Sequence, residues 1–377
     1  MSAAGEGGAD PGGPRIRALR AAVLTVPTEA PEADGTLAWA ETTLVAVHAE
    51  AAGVTGLGWT YGSPAAAAVV GAHLAPAVTG RSAWDVPAAN EAMTRAVRNA
   101  ARPGIAGHAI SAVDIALWDL KARLLELPLV TLLGAARDEV PVYGSGGFTT
   151  YDEQRQDRQL REWTEGAGIP RVKIKVGESW GAAEQRDRRR ISAARRSAGD
   201  AELYVDANGG YTAKQAVRLG SHLDAEGVTW FEEPVSSDDL PDLARVRDAV
   251  RADVTAGEYG YTLAYFERML AAGAVDCLQA DVTRCGGVTV WLKAAALAEA
   301  RGVQISGHCA PHLHAHAAAA VPNLRHLEWF HDHVRIERDL FSGALDPAGG
   351  AVRPGRDGAP GHGMALRADA AERYRRS

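Results

Sequence analysis

The chain is poor in cysteine, poor in aromatic rings and without any excess of positive charge. Its three cysteines, Cys277, Cys285 and Cys309, are too few for a disulfide framework, and their spacing matches no zinc pattern. A reduced, cytoplasmic setting suits them. The 40 Lys and Arg are outnumbered by 47 Asp and Glu, giving a formal charge of −7. That balance offers no basic surface to nucleic acid. No apolar run reaches the length of a membrane span. Residues 1–14 are rich in Gly and Ala and lack the basic start and apolar core of a signal peptide. They are expected to form a disordered tail. The remaining composition, 46% hydrophobic and 23% charged, is that of an ordinary globular protein. Its 377 residues accommodate a barrel of about 250 residues plus a smaller partner domain.

Residues 15–135 read as an α+β domain. RIRALRAAVLTV alternates, and TTLVAVHAE with the following GLGWTYG forms a pair of strands. PTEAPEADG between them is expected to be a loop. Helices follow, among them SAVDIALWDLKARLLE, with Ser111 placed to cap its start. From residue 136 to 345 the rhythm becomes strand, helix, strand, helix. Eight candidate strands begin at VPVYGS, RVKIKV, ELYVDA, VTWFEE, DVTAGE, DCLQAD, VQISGH and RHLEWF. Eight such units read as a parallel (β/α)8-type barrel, with the α+β domain as its cap. Residues 346–377, rich in Gly and Pro at first, are expected to run back toward that cap.

Asp206, Glu232 and Glu258 stand 26 residues apart, each closing one of these apolar runs. Neighbouring strand ends share one rim, so three carboxylates converge there. Such convergence calls for a cation, and an all-oxygen donor set suits Mg2+. Glu233, next to Glu232, takes a supporting role. Lys173 and Lys175 are two apart and share the interior face of their strand. Two adjacent ammonium groups lower each other's pKa, and burial adds to this, so a lysine here is expected to act as a base near neutral pH. Asp281 and His308, 27 residues apart, sit one unit apart on the same rim, the carboxylate orienting the imidazole. Glu328 comes one strand later, placed to hydrogen-bond a substrate carboxylate. Asn208 shares a face with Asp206 and could touch a substrate oxygen. The cluster His312, His314 and His316 in HLHAH is the alternative metal site, for zinc.

Taken in order, VKIKVG, YVDANGGYT, WFEEPV, AGE, LQADVTRCGG, SGHCAPH and HLEWF resemble the enolase superfamily, specifically its mandelate racemase group. The resemblance runs from about residue 15 to the end of the chain. It implies Mg2+ on Asp206, Glu232 and Glu258, and an enediolate formed from a substrate carboxylate. It implies acid/base roles for Lys175 on one face and for the His308–Asp281 dyad on the other, with Lys173 and Glu328 contacting the carboxylate. Asp281 stands where the muconate-cycloisomerase and dipeptide-epimerase groups carry a lysine, which favours the mandelate racemase group. The activity implied is dehydration of an aldonic or aldaric acid to a 2-keto-3-deoxy acid, with racemisation or epimerisation of a 2-hydroxy acid as the alternative. The 27–38 segment and the turn bearing Trp59 and Tyr61 are the candidate lid, and the two rings leave a less polar acid open. The resemblance also implies a homo-oligomer, commonly an octamer. From other classes, a barrel zinc hydrolase using HLHAH and a silent scaffold remain as alternatives.

Overall fold

The computed structural model describes residues 13–376. Residues 1–12 of the expected tail lie outside that range, while Pro14 accepts a backbone hydrogen bond from Ala83. The N-terminal part is a three-stranded antiparallel sheet, β1 (Ala18–Ala33), β2 (Ala38–Ala51) and β3 (Val54–Tyr61), in the order β1-β2-β3. A 20-residue helix, Ile105–Leu124, lies across it. The two approach closely because Gly56 and Gly58 carry no side chain. A Cβ there would fall 2.2 Å from Ala116 O and 2.3 Å from Ala112 O.

Two local expectations need correction. PTEAPEADG is mostly strand: β1 continues to Ala33, with a break in register between Pro27 and Glu32 that absorbs both prolines. The turn is confined to residues 34–37, where Asp34 Oδ1 accepts from the backbone of Thr36 and Leu37 at 2.6 and 2.7 Å. Ser111 is not a cap, because the helix begins six residues earlier. Its hydroxyl donates to Gly107 O at 2.8 Å and accepts from Gly286 N.

The second part is a closed parallel barrel of eight strands. These are β4 (Val140–Gly146), β5 (Arg171–Lys175), β6 (Glu202–Asp206), β7 (Val228–Glu232), β8 (Asp253–Ala256), β9 (Cys277–Ala280), β10 (Gln304–Gly307) and β11 (Leu324–Phe330), with β11 pairing back to β4. Helices between them carry recognisable start signals, such as the capping box of Thr212 and Gln215 opening Ala213–Ala225. Inside the barrel, Tyr143, Tyr204, Trp230 and Cys277 form a buried layer, with His326 against the three rings. This aromatic floor fills the lower barrel and leaves the polar side chains of the strand ends at the mouth.

The cap is tied to the barrel by polar contacts. Asp114 in the long helix accepts from Asn90 Nδ2 and from both N and Oγ1 of Thr289. After the barrel, Ala351–Val352 pairs antiparallel with β4. His362 then bonds Leu57 O at 2.8 Å, and its own N–H donates to Asp119 in the long helix. No helix among the described residues is long and apolar enough to cross a membrane.

Candidate active site

Strand register builds the site. Lys175, Asp206 and Glu232 lie opposite one another on β5, β6 and β7, at the C-terminal rim. Lys173 lies one layer deeper, opposite Tyr204, with its ammonium 5.3 Å from the Tyr143 ring. Glu258 follows β8 after a bend at Gly257, where φ is +133° and a Cβ would fall 2.0 Å from Gln279 O. Only glycine makes that bend without a clash. Asp281 and His308 directly follow β9 and β10, and Glu328 lies within β11.

These side chains converge. Carboxylate oxygens of Asp206, Glu232 and Glu258 lie within 4.8 Å of one another, all buried. Lys175 Nζ is 2.5 Å from Asp206 Oδ2. Lys173 Nζ is 2.6 Å from Glu232 Oε2 and 2.8 Å from Glu328 Oε1. At the far end, His308 Nε2 is 3.1 Å from Glu258 Oε2, while its Nδ1 is 2.8 Å from Asp281 Oδ2. The carboxylate cluster thus has an amine at one end and an imidazole at the other.

The electrostatics follow from packing acids together out of water. Burial, reinforced by Asp206, raises Glu232 to about 8. Burial and then Glu258 hold Glu233 well above the carboxylate range. Burial alone would also raise Glu258 and Asp281, but His308 and Arg284 outweigh it and hold both low. The lysines depart from the sequence expectation. Burial does push each down, and Lys173 opposes Lys175, but the carboxylates prevail and both pKa values rise. The acids, packed closer to each lysine than was legible in the sequence, hold both ammonium groups charged. His308 is likewise raised, because Cys309 and Glu258 outweigh its burial. Glu232 Oε1 and Glu233 Oε1 are buried without hydrogen-bond partners. A buried cluster of acids, with orphan oxygens on Glu232 and on its neighbour Glu233, suits a hard dication, and Asp206, Glu232 and Glu258 would hold it.

The other expected residues divide. Asn208 is at the mouth with a left-handed backbone (φ +46°) and a buried side-chain oxygen left unpaired. Trp59 and Tyr61 are buried between cap and barrel. Their polar ends are committed to Glu337 Oε1, at 3.1 and 2.9 Å, and their rings stack on Phe341 and His333. The structure therefore gives them a packing position rather than the lid position expected. The histidines of HLHAH point to separate partners. His312 pairs with Glu337, His314 accepts from Val282 N at 2.8 Å, and His316 accepts from Val130 N at 3.2 Å. They form no metal cluster among the described residues.

Three contributors went unnoticed in the sequence. Arg284 reaches Glu258 Oε1 at 3.2 Å and Asp281 Oδ2 at 3.3 Å. Ser145 donates to Glu328 Oε1 at 2.6 Å. Cys309 Sγ lies 3.2 Å from His308 Nε2. The signals were present: Arg284 is three residues after Asp281, Ser145 closes VPVYGS, and Cys309 follows His308. A cavity of about 570 Å3 opens beside the cluster, lined by Asn208, Glu233, Tyr259 and Arg268 among others. The tip of the β1–β2 hairpin contributes Thr36 to it, held down by Thr149, which donates to Ala33 O and Asp34 O.

Comparison with known proteins agrees with this geometry. Residues 19–134 match the family described as Mandelate racemase / muconate lactonizing enzyme, N-terminal domain, and residues 156–370 match Enolase C-terminal domain-like. The L-talarate/galactarate dehydratase of Salmonella typhimurium is 33% identical over 303 residues, covering 78% of this chain and 75% of that protein. Other curated relatives are named arabinonate and gluconate dehydratases and cycloisomerases. A mandelate racemase/muconate lactonizing enzyme-like protein from Rubrobacter xylanophilus superposes with a TM-score of 0.93 at 47% identity, over 96% of this chain and 100% of that one. A racemase from Streptomyces coelicolor A3(2), solved with bound magnesium, gives 0.89 at 32% identity, over 96% and 100%. The chain belongs to the enolase superfamily, in its mandelate racemase group, and is an enzyme whose metal is Mg2+.

Proposed function

We propose that the protein removes the proton α to the carboxylate of an acid sugar and eliminates the β-hydroxyl, giving a 2-keto-3-deoxy acid. The observation that carries this is the placement of two proton-transfer groups at opposite ends of one carboxylate cluster, Lys175 beside Asp206 and His308 beside Glu258. An α-proton next to a carboxylate is weakly acidic, because its removal puts a second negative charge on that group. Bound Mg2+ supplies positive charge where this second charge develops. Lys173 adds a buried ammonium from below, held by Glu232 and Glu328. With Mg2+ on Asp206, Glu232 and Glu258, the negative charge that keeps Lys175 and His308 protonated is drawn upon, and one of the two, in its neutral form, takes the C2 proton. The other, protonated, gives a proton to the C3 hydroxyl, which leaves as water. The resulting enol becomes the 2-keto-3-deoxy acid by gaining a proton at C3. Asp281 fixes the His308 ring through Nδ1 and directs Nε2 into the site.

A polyhydroxylated substrate is supported by the cavity, where Asn208, Ser236, Ser237, Asp238 and Thr262 supply polar groups. It is supported also by the dehydratase names of several relatives. The same two-face arrangement favours a second outcome. If the proton returns to C2 from the opposite side, the product is the C2 epimer, the chemistry in the name of the Streptomyces relative. Incubating the Mg2+-loaded enzyme with a panel of aldonic and aldaric acids separates the two. A 2-keto acid that reacts with semicarbazide supports dehydration. Epimer without keto acid would replace it by the second outcome.

A further inference from the structure

The geometry points to a second metal site of different chemistry beside the Mg2+ ligands: His308, Cys309 and Glu328 form a pocket for a thiophilic divalent cation such as Zn2+. The three donor atoms are His308 Nε2, Cys309 Sγ and Glu328 Oε2, all on buried residues. They lie 3.2, 3.3 and 3.7 Å apart, in the order N–S, S–O and N–O. A tetrahedral Zn2+ with bonds of about 2.0–2.3 Å holds such donors roughly 3.3–3.6 Å apart, so each pair fits within about 0.4 Å. A thiolate, an imidazole and one carboxylate select zinc-like ions, whereas the oxygen-only set of Asp206, Glu232 and Glu258 selects a hard one.

The surroundings hold each donor as a metal ligand is held. Nδ1 of His308 is engaged by Asp281 at 2.8 Å, the carboxylate–histidine arrangement typical of zinc sites, and this turns Nε2 into the pocket, where a cation would take the place of its 3.1 Å contact with Glu258 Oε2. Ser145 and Lys173 both engage Oε1 of Glu328, leaving Oε2 toward Cys309. Backbone strain brings the thiol in. Cys309 and Ala310 are consecutive non-glycine residues in the left-handed region, with φ of +51° and +37°. On binding, the cation takes the Cys309 thiolate, and the thiol proton, with any proton on Nε2, passes to solvent. The bound ion occupies the lone pair of Nε2. Its consequence for catalysis rests on the proposed role of His308, since a capped imidazole transfers no proton.

The test uses Co2+ as a coloured substitute for Zn2+, added anaerobically to protein saturated with Mg2+. One equivalent is expected to produce a near-ultraviolet thiolate-to-cobalt band that Zn2+ abolishes. Cys309→Ser should lose the band, while the Cys277→Ser/Cys285→Ser double variant should keep it. Asp281→Asn should weaken cobalt binding about 10- to 100-fold, as loss of such a support does. This second variant keeps the test decisive if Cys309→Ser fails to fold. No band in the Mg2+-saturated wild type, or a band that survives in Cys309→Ser, overturns the site. A band without loss of turnover upholds the site and counts against His308 as a proton-transfer group.

Discussion

Lys175 and His308 carry different burdens despite their similar positions. Each is tied to one end of the carboxylate cluster, so each should serve one face of the substrate. Lys175→Ala and His308→Asn are each expected to lower turnover by about 10²- to 10⁴-fold, the usual contribution of a positioned acid or base. Steady-state kinetics on the best acid sugar would check this. Tyr61 belongs to a different class of residue. Its hydroxyl is spent on buried Glu337, so Tyr61→Phe should cost about 0.5–1.5 kcal/mol of stability and leave KM unchanged. Urea unfolding alongside kinetics decides the matter. A tenfold rise in KM with unaltered stability would move Tyr61 to the substrate.

At the scale of elements, the eight barrel strands were legible because buried parallel strands read as short apolar runs between helices. The functional acids were legible with them, because each stands at the end of such a run. What the sequence hid were properties of packing. Prolines 27 and 31 read as loop, yet a shift of register lets the hairpin carry them. The pKa of Lys173 depends on Glu328, 155 positions away, and only barrel closure through β11 and β4 brings them to 2.8 Å. Trp59 and Tyr61 end an edge strand of the cap, and nothing local shows that the barrel's Glu337 will meet them. The hairpin tip borders the mouth through Thr36 and is fastened by the Thr149 hydroxyl, and we propose it as the lid. Thr149→Val should therefore raise KM several-fold, lower kcat little, and speed proteolysis at residues 34–37. An unchanged KM with unchanged proteolysis would remove the hairpin from any gating role.

For the whole molecule, the cap and barrel are joined around a mouth whose acids are packed out of water. Glu232 and Glu233 are held above their ordinary range by burial and by each other's neighbours. A dication relieves that repulsion in the folded state alone, so Mg2+ should stabilise the protein. At 100 times its dissociation constant the gain is about 2.7 kcal/mol. Calorimetry with Mg2+ or with EDTA should show the difference as a higher melting temperature, and Asp206→Asn should lose most of it.

The central claim is a Mg2+-dependent proton abstraction shared between two faces. Proton NMR of the enzyme with Mg2+ and acid sugars in D2O tests it directly. The wild type should give a 3-deoxy product carrying deuterium at C3, or deuterium at C2 of recovered substrate, and neither with EDTA. Lys175→Ala and His308→Asn should each lose exchange for substrates of one C2 configuration and keep it for the other. Absence of both signals across the panel, or equal residual exchange in the two variants, would contradict the account.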